Sequence, residues 1–281
     1  MSDTLDLSGL PTLGELGHDK AKFLLHGGPG TGKTTLAASV AALGKTLYID
    51  LQGQAGLDSI ADSPHRDNIS VLRPKSVGEV GEVLWQLITG NHDFEAVVIE
   101  HVNTWHNMYV RFHGGAPEDK PPAPARGKEK VKKRDGRQLY GDANDSLKDD
   151  IIFWYGLADS TAIKPVHVIM TSHSRDRESR PEAGDWRLGP DVSPGAIRTV
   201  EATPNYIGYC AIERKGGGEV SFTDAELTSE DYVRTVRFGP HDEIMTKTHE
   251  GLGSAKRWPD VVGRDGKVLT LPKMFKFLGL T

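Results

Sequence analysis

A single cysteine, Cys210, in 281 residues excludes a disulfide framework and a four-cysteine zinc site. No apolar run approaches the roughly 20 residues that span a bilayer. The first ten residues carry Asp3 and Asp6 where a secretory leader would carry cations. These absences lead us to expect a soluble, cytoplasmic protein without membrane contact. A basic surplus is missing as well: 34 Lys and Arg stand against 39 Asp and Glu, a formal charge of −5. That balance excludes a globally cationic nucleic-acid binder and leaves room for a local basic loop. No internal repeat is present. The length is ample for a buried core, in one large α/β domain or two small ones.

What the chain does have is an alternation of short apolar runs with helical stretches. Residues 22–26 (KFLLH), 46–50 (TLYID), 69–72 (ISVL), 96–100 (AVVIE) and 166–170 (VHVIM) read as strands. Residues 33–43 are alanine-rich and free of breakers, which predicts a helix. Over 76–89, Val80, Val83, Leu84, Leu87 and Ile88 share one helical face, and 144–158 carries Leu147, Ile151, Ile152 and Tyr155. Later strands are predicted at 206–213 and 232–238, with a short helix after Pro272. The pattern predicts an α/β fold whose mainly parallel sheet is covered by helices on both faces. Ligands bind such sheets at the carboxyl ends of the strands, where Asp50, Glu100 and His173 would gather. Residues 113–140 differ in kind: Pro117, Pro121, Pro122 and Pro124 precede a run of Lys and Arg, as in a mobile insertion.

Between a predicted strand and a predicted helix stands Gly27-Gly28-Pro29-Gly30-Thr31-Gly32-Lys33-Thr34-Thr35, which fits G-x-x-x-x-G-K-[ST]. Glycines let the backbone curl so that successive N–H groups face phosphate oxygens. The helix beginning at Lys33 adds the positive end of its dipole. Lys33 supplies a point charge to the β- and γ-phosphates, and the Thr34 hydroxyl ligates Mg²⁺, so ATP with magnesium is the expected ligand. Glu100 ends its strand where phosphate-loop proteins place a metal-holding acid. The favoured role is Mg²⁺ ligation or action on water, and the alternative is a solvated strand end. Asp50 and Gln52 lie at the end of the second strand. Gln52 can orient water but accepts no proton, and a plain turn before Gly53 explains the pair equally well. His173 either touches the γ-phosphate or is merely a polar terminus. His101 and His106 lack the company of a zinc site and read as rim or core residues.

The ordered set of segments narrows the reading. GGPGTGKTT at 27–35, YIDLQG at 48–53, VVIEHVNTW at 97–105 and HVIMTSHSRD at 167–176 are followed by LGPDVSPGAIRTVEATPNYIGY at 188–209 and RTVRFGPHDEIMTKTHEG at 234–251. Together they resemble the RecA-type ATPase core, most closely the short phage RecA-like ATPases: phage nucleotide-binding proteins of the AAA class and Sak-type single-strand annealing ATPases. Residues 1–20, polar and rich in Gly and Leu without a clear period, read as a tail or an arm; the resemblance implies a single RecA-like core, at 21–252, ahead of an antiparallel C-terminal extension at 253–281. It also implies ATP at a protomer interface, and a homo-oligomeric filament or ring on single-stranded DNA. Gln52 stands where the family has a water-activating glutamate, and Glu100 where it has an aspartate, so slow turnover is expected. His173 matches the γ-phosphate sensor. Lys247 matches a basic residue offered to the neighbouring subunit's nucleotide.

DNA-binding loops in that family follow the strands ending at Glu100 and His173. From 126 to 137, Arg126, Lys128, Lys130, Lys132, Lys133, Arg134 and Arg137 face Glu129 and Asp135; seven minus two leaves +5 inside an acidic chain. Such a loop neutralises phosphates without sequence preference, or it is simply a solvated charge run. Arg175, Arg177, Arg180, Trp186 and Arg187 form the second candidate, in which Trp186 either stacks on a base or packs beneath its loop. The expected function is an ATP-dependent single-stranded DNA-binding protein of phage recombination or annealing, in the host cytoplasm. The alternatives are a non-hydrolysing nucleotide-gated interaction protein and a phosphate-loop kinase with a small acceptor.

Overall fold

Most of the apolar runs form strands buried along their length because both faces of the sheet are covered; residues 69–72, at the edge of the sheet, are half-buried to exposed. A computed structural model describes residues 20–115, 136–159, 161–176, 187–215, 232–239, 241–247, 261–262 and 269–278. In chain order the elements are β1 (Lys22–Gly27), α1 (Lys33–Ala38), β2 (Thr46–Asp50), α2 (Gln54–Asp58), β3 (Ile69–Leu72), α3 (Val77–Ile88), β4 (Ala96–Glu100), α4 (Val102–His113), α5 (Gly136–Gly156), β5 (His167–Asp176), β6 (Leu188–Pro190), α6 (Ile197–Ala202), β7 (Tyr206–Arg214), β8 (Tyr232–Arg237), β9 (Val261–Val262) and α7 (Leu271–Leu278).

The sheet runs β3-β2-β4-β5-β1-β7-β8-β9, with β6 paired to the outer end of β5. From β3 to β7 all pairings are parallel; β8 and β9 are antiparallel. Side chains alternate between two cores, as the period of a strand demands. Leu24, Val97, Ile99, Val168 and Met170 meet Trp105 and Trp154 of α4 and α5 on one face. Phe23, Leu25, Val98 and Ile169 meet Leu36 of α1 and Phe275 of α7 on the other. The predicted α/β architecture is the observed one. Among the described residues no helix is long and apolar enough to cross a membrane.

Several boundaries differ from the sequence reading. The helix expected over 33–43 is α-helical only to Ala38 and tightens into a 3₁₀ turn over Ser39–Ala42. The strand expected to stop at residue 170 continues to Asp176, because its outer end pairs with β6. The helix expected from residue 144 begins at Gly136, and His113 belongs to α4, so both ends of the expected insertion at 113–140 are helical. In the expected C-terminal extension at 253–281, β9 pairs antiparallel with β8, and α7 buries Leu271, Met274 and Phe275 in the second core.

Candidate functional site

Register alone brings the phosphate loop to the centre of the rim. Gly27 ends β1 with His173 of β5 on one side and Cys210 of β7 on the other. A Cβ at Gly27 would lie 2.3 Å from the Cys210 carbonyl oxygen, so only glycine fits. Gly32 has φ of 88°, the left-handed region that glycine adopts freely, and turns the chain into α1. Lys33 is buried, and its ammonium donates to the carbonyls of Gly27 at 2.9 Å and Gly28 at 2.7 Å. Burial pushes the pKa of that ammonium down. Pro29, Gly30, Thr31, Gly32, Thr34 and Thr35 line the same cleft, whose volume is about 930 Å³.

Glu100 ends β4 with its side chain almost wholly buried. One carboxylate oxygen accepts from the Thr34 hydroxyl and lies 2.9 Å from His101 Nε2; the other accepts from the Tyr48 hydroxyl. These bonds tie the loop to the ends of β2 and β4. A hydroxyl and a carboxylate in contact beside a buried ammonium are hard oxygen donors, the set that suits Mg²⁺. His173 lies against His101, ring centroids 4.4 Å apart. Burial, reinforced by the neighbouring His101 and Lys33, lowers the His173 pKa to about 4, so the ring is neutral at pH 7. The Gln52 side-chain nitrogen stands 3.4 Å from His173 Nε2, at the open edge of the cleft. Sequence order alone did not reveal that pairing.

Asp50 is occupied elsewhere. Its carboxylate accepts from the backbone N–H groups of Gln52 at 3.1 Å and Gly53 at 2.8 Å, and pairs with Arg73 at 3.0 Å. Of its two readings the turn is the observed one. His106 bonds Asn144 at 3.0 Å in the seam between α4 and α5. Lys247 is also held internally: its ammonium caps the C-terminal end of α6 through the carbonyls of Glu201 at 3.1 Å and Ala202 at 2.8 Å, outside the cleft.

Two contributors to the site went unread in the sequence. Tyr48 holds Glu100 from the neighbouring strand. Arg234 reaches over the loop from β8, its Nε donating to the Gly30 carbonyl at 3.3 Å. Its guanidinium lies 6.0 Å from the centroid of the Tyr232 ring.

The expected DNA-binding cations divide. Arg126, Lys128, Lys130, Lys132, Lys133, Arg134 and Arg177, with Trp186, lie outside the described residues. Arg137 is exposed in the first turn of α5 rather than in a loop. Arg175 sits at the outer end of β5, 3.8 Å from Asp191. The basic segment does not follow Glu100 directly: the twelve residues of α4, about 18 Å of helix at 1.5 Å per residue, intervene.

A family model described as an AAA domain matches residues 19–249, from just before β1 to just past Lys247. No curated protein matches the chain.

Proposed function

The chain belongs to the AAA domain family, a family of nucleotide-binding P-loop ATPase domains, and on that footing we propose that it binds ATP with Mg²⁺, hydrolyses it slowly, and in the ATP state binds single-stranded DNA as a homo-oligomer. One observation carries the nucleotide reading: the Thr34 hydroxyl and the Glu100 carboxylate meet beside the buried Lys33 ammonium. Thr34 and Glu100 are the residues that would hold the metal, which when bound neutralises charge on the β- and γ-phosphate oxygens. Lys33 exchanges the carbonyls of Gly27 and Gly28 for phosphate oxygens. Gln52 orients the attacking water. That water forms a bond to the γ-phosphorus as the bond to the β–γ bridging oxygen breaks, and the proton leaves with the phosphate product, since an amide has no basic atom to take it. His173 contacts the γ-phosphate and passes its presence along β5 to the segment after Asp176.

The DNA half rests on the order of motifs and on the local +5 between residues 126 and 137. It points to recombination or annealing of phage single strands in the host cytoplasm. Gln52 in place of a carboxylate favours a second reading, in which nucleotide gates an interaction and is not turned over. Phosphate release separates the two.

The test of nucleotide binding is calorimetry with magnesium–ATP. The wild type binds, and Lys33→Ala loses about a hundredfold in affinity, the worth of two charge-assisted bonds. No uptake by folded wild type, or uptake indifferent to Lys33, overturns the proposal. Anisotropy of a labelled single strand tests the DNA half, which fails if ATP and added salt leave the signal unchanged.

A further inference from the structure

The order of strands fixes which way a nucleotide lies in the cleft. The phosphate loop tops β1; on one side stand β5 and β4 with His173 and Glu100, and on the other β7 and β8. A triphosphate whose terminal group lies at Thr34, Glu100 and His173 therefore directs its nucleoside toward β8. The cleft continues there, lined by Tyr232, Arg234, Thr235 and Leu269.

Resting on the nucleotide reading above, we infer that this flank is the nucleoside-end subsite: Arg234 takes the phosphate next to the ribose, and the base lies against the Tyr232 ring with Leu269 beside it. Arg234 is placed for that task and is not locked. Its Cδ would lie 2.8 Å from a Cβ on Gly32, so the side chain rests on the loop that holds the phosphates. Its single bond there is the 3.3 Å contact of Nε with the Gly30 carbonyl. The terminal nitrogens have no partner among the described residues, which leaves a planar fork free to meet phosphate oxygens. The Tyr232 ring beneath the guanidinium supplies an aromatic face at the same depth. Arg234 and Tyr232 are two residues apart on one strand and so share a face of the sheet. The Thr235 hydroxyl is engaged by Glu213 at 3.1 Å. Recognition of the base is thus by its face, which tolerates any base.

Titrating magnesium–ATP, magnesium–GTP and magnesium–tripolyphosphate into the full chain tests the inference. For the wild type, ATP and GTP bind within a few-fold of each other. Tyr232→Ala weakens both by about tenfold, the cost of a lost stacking face, and leaves tripolyphosphate unchanged; Tyr232→Phe restores them. Arg234→Ala weakens all three by about tenfold. Tyr232→Leu keeps packing volume without an aromatic face and loses the nucleotides as Tyr232→Ala does, so a folding defect in one variant does not decide the outcome. Equal loss of tripolyphosphate and ATP in the Tyr232 variants, or indifference of ATP to them, overturns the subsite. The two failures are distinguishable. A wild type that takes up no ATP removes the nucleotide reading itself, whereas a wild type that binds ATP with Tyr232 irrelevant removes only this inference.

Discussion

The two flanks of the phosphate loop are built to different tolerances. On the side of β4 and β5, Glu100 accepts from Thr34 and Tyr48 at once with His101 Nε2 2.9 Å away, and His173 packs on His101. Every one of these groups is buried or half-buried, so rearranging one leaves another without a partner, and that costs more than the bond itself is worth. On the side of β8, Arg234 is exposed and makes one long bond. Preorganisation is useful where charge develops in a reaction, because fixed groups need not reorganise there. Adaptability suffices where a ligand merely docks. Under the proposed function, the stiff flank is the chemical end of the cleft and the adaptable flank the docking end.

Glu100→Gln tests the stiff flank most severely. A neutral amide keeps the shape and removes the charge, so phosphate release should fall by about 10²- to 10³-fold while ATP affinity changes only a few-fold. Single-turnover release beside calorimetry separates the two quantities. A comparable loss of affinity would mean that Glu100 belongs to binding, and the division between flanks would blur.

Acid probes the same flank through its support. His26 lies in β1, fully buried, its Nε2 donating to the Met245 carbonyl at 2.7 Å and its Nδ1 accepting from Ser174 at 2.9 Å. Burial lowers its pKa from 6.5 to about 4. A histidine depressed by folding contributes stability that is present in full above pH 6.5. The contribution is lost as pH falls toward 4, because the unfolded chain takes up the proton first. The loss should reach roughly 2–3 kcal/mol. Urea titrations between pH 7 and pH 4 should show it in the wild type, and it should shrink in His26→Gln. Amide exchange should rise in the outer half of β5 before it rises on β8; simultaneous opening would contradict a distinct support for the stiff flank.

Tyr48→Phe is gentler. It removes one of the donors to Glu100 and keeps the buried ring, so a drop of about tenfold in phosphate release is expected with unaltered affinity. Release at the wild-type rate would show that the Thr34 hydroxyl suffices to hold Glu100.

What the sequence disclosed follows from how local each feature is. The phosphate loop and Glu100 were legible because glycine spacing and a strand-ending acid are properties of adjacent residues. Tyr48 and Arg234 were not, because their roles depend on which strand lies beside which. Tyr48 did leave a signal: a hydroxyl inside the apolar run TLYID must find a partner when buried. Residues 102–113 hide α4 behind His, Asn and aromatic residues, although Val102, Trp105, His106 and Tyr109 recur at helical spacing and are the ones buried. The first turns of α5 carry Gly136, Arg137, Gln138 and Gly141 in place of an apolar stripe, which is why the helix was expected to begin later. The place of α7 in the core is a contact with strands some 250 residues away, beyond the reach of any periodicity.

Gln52 offers the smallest effect and the sharpest question about the stiff flank. It stands at the exposed edge, yet its amide reaches the neutral His173 across from Glu100, so it is the one adaptable member on that side. An amide can orient water through its carbonyl oxygen but cannot carry a proton away. A carboxylate of nearly the same shape does both, and its oxygen can accept a bond from the His173 ring in the tautomer that carries its hydrogen on Nε2. Gln52→Glu should therefore release phosphate several-fold faster, within the range of a general base added to a site already assembled. The added negative charge lies toward the γ-phosphate, so a modest loss of ATP affinity should accompany the gain. Faster release with weaker binding places Gln52 at the attacking water. An unchanged or slower rate means that the water is held by another group, and that the preorganised flank ends at Glu100 and His173.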